Sequence, residues 1–111
     1  MPLVAHTPLP SLEKLRTQHR QEVLSLEQAL KQDIRELHIG FLNMMPDGAF
    51  KATELQFLRL VGSSNQIAQF YIHPCTMPGF KRNAEIQAYI DEHYLPFDKL
   101  KEEGLDALIV T

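Results

Sequence analysis

At 111 residues, 44% hydrophobic and 23% charged, the chain has the size and composition of one globular domain with a single hydrophobic core. Eleven Lys plus Arg against fourteen Asp plus Glu leave a net charge of -3, which repels phosphate backbones and anionic lipid and argues against nucleic acid and membrane surfaces as partners. No apolar run reaches the roughly 20 residues of a spanning helix, Met1 to Pro10 lacks the features of a signal peptide, and one cysteine, Cys75, excludes an internal disulfide, so a cytoplasmic protein stabilised by packing is expected.

Met1 to Pro10 holds three of the seven prolines and reads as an extended arm, because proline fixes φ and restricts the residue before it. Ser11 follows as an N-cap, and Leu12, Leu15, His19, Val23, Leu26 and Leu30 recur at three- and four-residue steps. That spacing predicts an amphipathic helix from Ser11 to about Gln32, with Glu13, Lys14, Arg20, Gln21, Gln28 and Lys31 on the outer face, lying on the domain or on a second subunit. From Leu37 the pattern changes. Leu37, Ile39, Phe41 and Leu42 form a short apolar run closed by Asn43, as in a strand buried on both faces. Thr53-Glu54-Leu55-Gln56 has the form of a capping box ahead of Phe57, Leu58 and Val61, with Gly62 as a stop. Ile67 to His73, closed by Pro74, is a second strand; Asn83 caps a helix carrying Ile86, Tyr89, Ile90 and His93 that ends before Pro96. A short turn from Phe97 to Glu103 stops at Gly104, and Ala107 to Val110 is a third apolar strand. Strand, helix, strand, helix, strand without polar alternation indicates an α/β fold with a parallel sheet covered on both faces. The expected organisation is an arm (1–10), a helical segment (11–33) and a βαβαβ unit (34–111). Because the sequence stops at the last residue of an apolar strand, that unit is expected to be the first part of a larger α/β domain, and on its own to expose apolar surface.

Ten residues from Asn43 to the capping box exceed the roughly two to six usual between a strand and a helix. At the carboxyl end of a parallel strand, Asn43, Met44, Met45, Pro46, Asp47, Gly48 and Lys51 are placed to face an anionic or acyl ligand; the alternative is a packed loop with the methionines filling gaps. Glu54 lies among Phe50, Phe57, Leu58 and Val61 at helical spacing, and either orients the loop or is a carboxylate favoured by the helix dipole. Cys75, between Pro74 and Pro78, sits in what reads as a connecting loop with no arranged base, a poor setting for a nucleophile. His6, His19, His38, His73 and His93 show no paired ligand spacing, so no metal site is expected, and no Gly-rich phosphate loop is present.

Ile39-Gly40-Phe41-Leu42-Asn43-Met44-Met45-Pro46, then Thr53-Glu54-Leu55-Gln56-Phe57-Leu58-Arg59-Leu60, then Asp106-Ala107-Leu108-Ile109-Val110-Thr111 resemble the N-terminal third of the homoserine O-succinyltransferase family. The resemblance runs nearly continuously from Ile34 to Thr111. It implies the first half of a class I glutamine amidotransferase-like, flavodoxin-like sheet. It further implies acyl transfer from succinyl-CoA or acetyl-CoA to the hydroxyl of L-homoserine in methionine biosynthesis, with no bound cofactor. The family's cysteine nucleophile, histidine base and orienting glutamate would all lie beyond Thr111, which leaves no catalytic residue in this chain. Substrate-binding positions carried over are Asn43, Met44, Met45, Pro46 and Thr111, with Lys51 supplying positive charge. Many members follow the loop's Met-Pro directly with lysines, whereas Asp47-Gly48 stands here and the loop is about two residues longer. A homodimer is the expected assembly. The competing readings are a serine-directed acyltransferase or amidotransferase-like enzyme on the same fold, and a non-catalytic binding or oligomerisation module.

Overall fold

A computed structural model describes residues 3–19, 21–32, 34–64 and 68–111. Met1, Arg20, Asp33 and Ile67, which figure in the sequence expectations, lie outside the described residues. In chain order the elements are β1 (Leu3–Ala5), α1 (Pro10–Thr17), β2 (Val23–Ser25), α2 (Leu26–Leu30), β3 (Glu36–Leu42), α3 (Asp47–Gly62), β4 (Gln69–Thr76), α4 (Ala84–His93), β5 (Leu95–Pro96), α5 (Phe97–Glu103) and β6 (Ala107–Val110). Every strand pairing is parallel, and the sheet order is β2-β1-β4-β3-β6, with β5 extending the carboxyl end of β4. The α/β class and the βαβαβ order after residue 34 are as expected.

Alternate side chains of the central strands go to opposite faces. Leu3, Ile39, Phe41, Phe70 and Ile72 form the main core with Leu12 and Leu15 of α1 and Leu58 of α3. On the other face Val4, Leu24 and Tyr71 pack with Ala29 of α2, while Leu42 and Cys75 pack with Leu100 of α5. Between those two covered ends lies a strip of polar rings, His6, His38 and His73, set around Tyr71.

The N-terminal third departs most from expectation. Residues 3–5 are not an arm but a strand, with Leu3 and Val4 buried and paired to both β2 and β4. The single helix expected over 11–32 is instead a helix, a strand and a second helix. α1 is capped at Leu9, starts at Pro10 and ends at Thr17; β2 follows, and Ser25 caps α2 through a reciprocal box with Gln28. Val23 continues the three-and-four spacing of α1 only by coincidence, and His19, Leu26 and Leu30, assigned to the apolar stripe, are exposed. Ser25-Leu26-Glu27-Gln28 was itself the legible signal for a new helix start.

Two further boundaries move. α3 begins at Asp47 rather than at Thr53, because Pro46 with ψ 158° serves as the N-cap and Ala49 N–H closes the first turn onto Pro46 O at 2.9 Å. The Thr53 to Gln56 motif therefore sits inside the helix, and of the expected ten-residue loop only Asn43 to Pro46 is loop, Asp47 onward being helical. β4 continues through Pro74 to Thr76. Pro74 lies past the end of β1, so its missing N–H removes no ladder bond on that side.

Gly62 closes α3 without a left-handed conformation, and the C-cap is Ser63. Its role is close approach: a Cβ there would stand 1.9 Å from Gln21 Nε2 and 3.1 Å from Leu3 Cδ1. The Gln21 side chain can swing aside, so Leu3, buried and in contact at 3.1 Å, decides the outcome: Gly62→Ala is expected to destabilise the chain by about 1 kcal/mol after the helix-propensity gain of alanine, measured by urea unfolding, and a raised midpoint would show that Leu3 yields freely.

Candidate functional site

The carboxyl ends of β3, β4 and β6 meet at Asn43, the residue after β3. Its backbone N–H donates to Cys75 O on β4 at 3.3 Å, and Thr111 N–H donates to Leu42 O at 3.1 Å from the end of β6. The Asn43 side chain is buried and fully used. Nδ2 donates to Phe50 O at 3.0 Å and to Tyr94 OH at 3.3 Å, while Oδ1 accepts from Met45 N–H at 3.2 Å and Thr111 Oγ1 at 3.4 Å. One amide thus fixes the start of α3, the Met44-Met45-Pro46 loop and the end of the last strand relative to each other.

Beside it opens a cavity of about 370 Å³ lined by Asn43, Thr76, Phe80, Arg82, Ile90 and Asp98 among others. Arg82 was not anticipated from sequence. Its side chain is only 5% exposed; Nη1 donates to Met45 O at 2.5 Å and to Asp47 Oδ1 at 3.2 Å, and the guanidinium stacks 4.8 Å from the Phe50 ring centre and 5.4 Å from that of Phe80. Asp47 also accepts from Asn83 N–H at 2.8 Å. The peptide of Met45 is therefore held at its N–H by Asn43 and at its carbonyl by Arg82. An isolated arginine within a polar stretch such as Lys81-Arg82-Asn83 carries no local signal of this burial.

Glu54 stands one layer behind. It is completely buried, in the middle of α3 rather than at its start, so the helix-dipole explanation does not apply. Its Oε2 accepts from Ser11 Oγ of α1 in a short hydrogen bond and from Tyr89 OH of α4 at 2.6 Å; its Oε1 accepts from Tyr94 OH at 2.7 Å. No Lys, Arg or His among the described residues pairs with it. Burial, reinforced by this carboxylate, raises the pKa of both phenols well above the ordinary tyrosine value.

The homoserine O-succinyltransferase family profile matches residues 2–111. The chain belongs to the homoserine O-succinyltransferase family. Curated relatives named homoserine O-succinyltransferase match it over its whole length: one from Cardiobacterium hominis at 63% identity, one from Thiothrix nivea at 61% and one from Methylobacter tundripaludum at 56%. The chain spans 31% of the length of each of these three.

Within that family frame, the structure brings Asn43, Met44, Met45, Pro46 and Thr111 together at the strand ends, as the sequence expectation grouped them. Met44 packs on Leu42, Cys75 and Leu100, so half of the gap-filling alternative also holds. Lys51 goes elsewhere. It lies on α3, its Nζ 3.2 Å from Glu85 and 4.7 Å from the centre of the Tyr89 ring, and it does not line the cavity. The cation that touches the loop is Arg82.

Cys75 is part of β4, not of a loop, and is wholly buried against Leu42 and Leu100. Burial pushes its thiol pKa up from 9.0 to about 11, the opposite of what a nucleophile needs. Iodoacetamide should label Cys75 at least about 100-fold more slowly in the folded than in the urea-unfolded chain, the factor that two pKa units give for thiolate content; rates within tenfold would contradict its burial. Among the described residues no group of three or more His, Cys, Asp or Glu is arranged to hold a metal ion, and no helix is long and apolar enough to cross a membrane.

Proposed function

We propose that this chain forms one wall of an acyl-transfer site, in which a succinyl group passes from its coenzyme A thioester to the hydroxyl of L-homoserine. The observation that carries the reading is identity of 55–63% across all 111 residues to relatives bearing that enzyme's name. The site geometry supports it: in a parallel sheet ligands gather beyond the carboxyl ends of the strands, where Asn43, Met45, Thr111 and the cavity beside them stand. The relatives are about three times as long. The reading assigns the cysteine that carries the acyl group, its histidine base and the orienting glutamate to the part of the family's length outside this chain. There the thiolate attacks the thioester carbonyl and coenzyme A leaves as its thiol. The homoserine hydroxyl then attacks the acyl-cysteine, its proton passing through the histidine as the C–S bond breaks. The residues described here hold the loop and strand end against which that exchange takes place.

The test is release of free thiol from succinyl-CoA by the protein produced at the full length of its relatives, with L-homoserine as acceptor and L-serine and acetyl-CoA as comparators. Turnover with L-homoserine and succinyl-CoA exceeding the other combinations is expected; preference for L-serine or for acetyl-CoA would reassign acceptor or donor, and no turnover with any pair would overturn the reading. In that enzyme Asn43→Ala should lower kcat/KM about tenfold, through loss of the amide that holds the Met44-Met45-Pro46 loop and Thr111 in register rather than of any bond to substrate. Lys51→Ala should change it less than about threefold, since Lys51 is engaged with Glu85 and Tyr89.

A further inference from the structure

The buried carboxylate of Glu54 divides its acceptors between two tasks. Oε2 receives Ser11 of α1 and Tyr89 of α4 and so ties two helices to α3. Among the described residues Oε1 receives Tyr94 OH alone, and that same hydroxyl accepts from Asn43 Nδ2. The phenolic hydrogen is directed to Glu54, so the oxygen lone pair of Tyr94 is turned toward the Asn43 amide. Together with Phe50 O, which also accepts from Nδ2 at 3.0 Å, that fixes which end of the amide faces Met45 N–H and Thr111. A neutral group in place of the carboxylate that donated rather than accepted would let the phenol reverse and turn its hydrogen toward Nδ2, leaving Phe50 O alone to hold that end of the amide.

We propose that Glu54 is a positioning residue for the candidate site: acting through Tyr94 OH, and together with Phe50 O, it holds the Asn43 amide in place and thereby the Met44-Met45-Pro46 loop and Thr111. The packing alternative, in which Glu54 merely holds α1 and α4 on the sheet, assigns equal weight to both oxygens. The two are separable because Tyr89 and Tyr94 are both phenols on the same carboxylate, both with rings against Phe50, Tyr94 buried and Tyr89 partly so, yet only Tyr94 continues to Asn43. The catalytic meaning of this role rests on the acyl-transfer reading above, whereas the loop's placement does not.

The experiment compares Tyr94→Phe, Tyr89→Phe and Glu54→Gln, each keeping the bulk of the side chain. Its first readout is amide hydrogen exchange at Met45, whose N–H donates to Asn43 Oδ1. Exchange at Met45 should rise at least tenfold in Tyr94→Phe and in Glu54→Gln and stay within twofold of the parent in Tyr89→Phe. Should Glu54→Gln fail to fold, the two tyrosine variants carry the comparison. Equal acceleration in both tyrosine variants, or none in Tyr94→Phe, overturns the proposal in favour of simple packing. The second readout is steady-state kinetics in the protein at full family length. There Tyr94→Phe should lower kcat/KM at least fivefold while Tyr89→Phe lowers thermal stability with kcat/KM within twofold. If the parent enzyme turns over neither substrate, the acyl-transfer reading fails and the exchange data still decide the positioning role; if it turns over and only the exchange pattern is absent, the positioning role alone fails.

Discussion

Glu54→Leu is expected to cost the fold about 3–5 kcal/mol, the largest loss of any single polar exchange in the chain. Leucine is close in volume to glutamate and leaves no cavity to speak of. The cost comes from the three hydroxyls of Ser11, Tyr89 and Tyr94, which converge on the buried carboxylate and would lose their acceptor, those of Ser11 and Tyr94 on buried residues and that of Tyr89 on a partly buried one. Each buried donor left unpaired costs about 1–3 kcal/mol; Asn43, itself a donor to Tyr94 OH, offers that phenol no new acceptor, but Tyr89 is only partly buried, so the sum falls below three full penalties. The asymmetry between breaking a polar contact and removing it altogether gives a second, sharper expectation. Adding Tyr89→Phe and Tyr94→Phe to Glu54→Leu should recover part of the loss, because the orphaned donors go with their acceptor. Urea unfolding of the single and triple variants measures both. A loss under about 1 kcal/mol for Glu54→Leu, or a triple variant weaker than the single one, would mean that the carboxylate contributes little beyond its volume.

Glu54 also shows where sequence reading reached and where it ended. Its position among Phe50, Phe57, Leu58 and Val61 was enough to turn it inward, since helical spacing sets which way a side chain faces. What spacing cannot supply is the identity of partners 35, 40 and 43 residues away. The same division runs through the fold. β3, α4, α5 and β6 were legible because each is bounded by strong local signals: Asn43, the Asn83 cap whose Oδ1 accepts from Ile86 N–H at 2.8 Å, and Gly104 at φ 86°. β1 and β2 were not, because three-residue strands are too short to show a period, and both owe their existence to pairing. Leu3-Val4-Ala5 becomes a strand only because Val23-Leu24-Ser25 on one side and Phe70 on the other complete its ladder.

The site follows the same rule. Asn43 to Pro46 and Thr111 were found from position at strand ends, a consequence of parallel topology. Arg82 was missed and Lys51 preferred, because charge on a loop looks available until its partners are known. Lys51 is spent on Glu85 and the Tyr89 ring, while Arg82, between Phe50 and Phe80, replaces its hydration with Met45 O, Asp47 and two ring faces. A guanidinium can make that exchange more readily than an ammonium, being planar and more weakly hydrated. The histidines illustrate the reverse case: five imidazoles without a spacing motif in sequence come together, three of them, on one sheet face because β1, β3 and β4 lie side by side.

Those three rings lead to the second large effect, a loss of stability on acidification through the histidine range. His38 Nδ1 and His73 Nε2 lie 2.8 Å apart, one ring donating to the other, and His6 Nε2 meets Ile72 O at 2.9 Å with its ring 4.9 Å from that of His73. Burial, then the neighbouring His6 and His38, lowers the pKa of His73 from 6.5 to about 4, and burial likewise lowers that of His6. A base whose folded pKa lies below its unfolded value takes up fewer protons in the native state. Its contribution is fully present above pH 6.5 and is lost as pH falls from 6.5 to about 4, with no further loss below. The groups facing the strip include Tyr71 of β4, Glu36 of β3, whose Oε2 is 3.4 Å from His38 Nε2, Glu103 of α5, which borders the opening beside His38 and His73, and Asp91, Glu92 and His93 of α4, which line a cavity with His6 and His73. Because His73 is partly reached by solvent, the loss is discounted to about 1–2 kcal/mol between pH 7 and pH 4.5. Urea unfolding at those two pH values measures it, and His73→Asn, which keeps a neutral hydrogen-bonding group beside His38 but cannot charge, should remove most of the difference. If the variant loses as much stability as the parent, acid sensitivity lies in the carboxylates instead; a parent more stable at pH 4.5 than at pH 7 would reverse the assigned sign and show that the strip gains from protonation through Glu36.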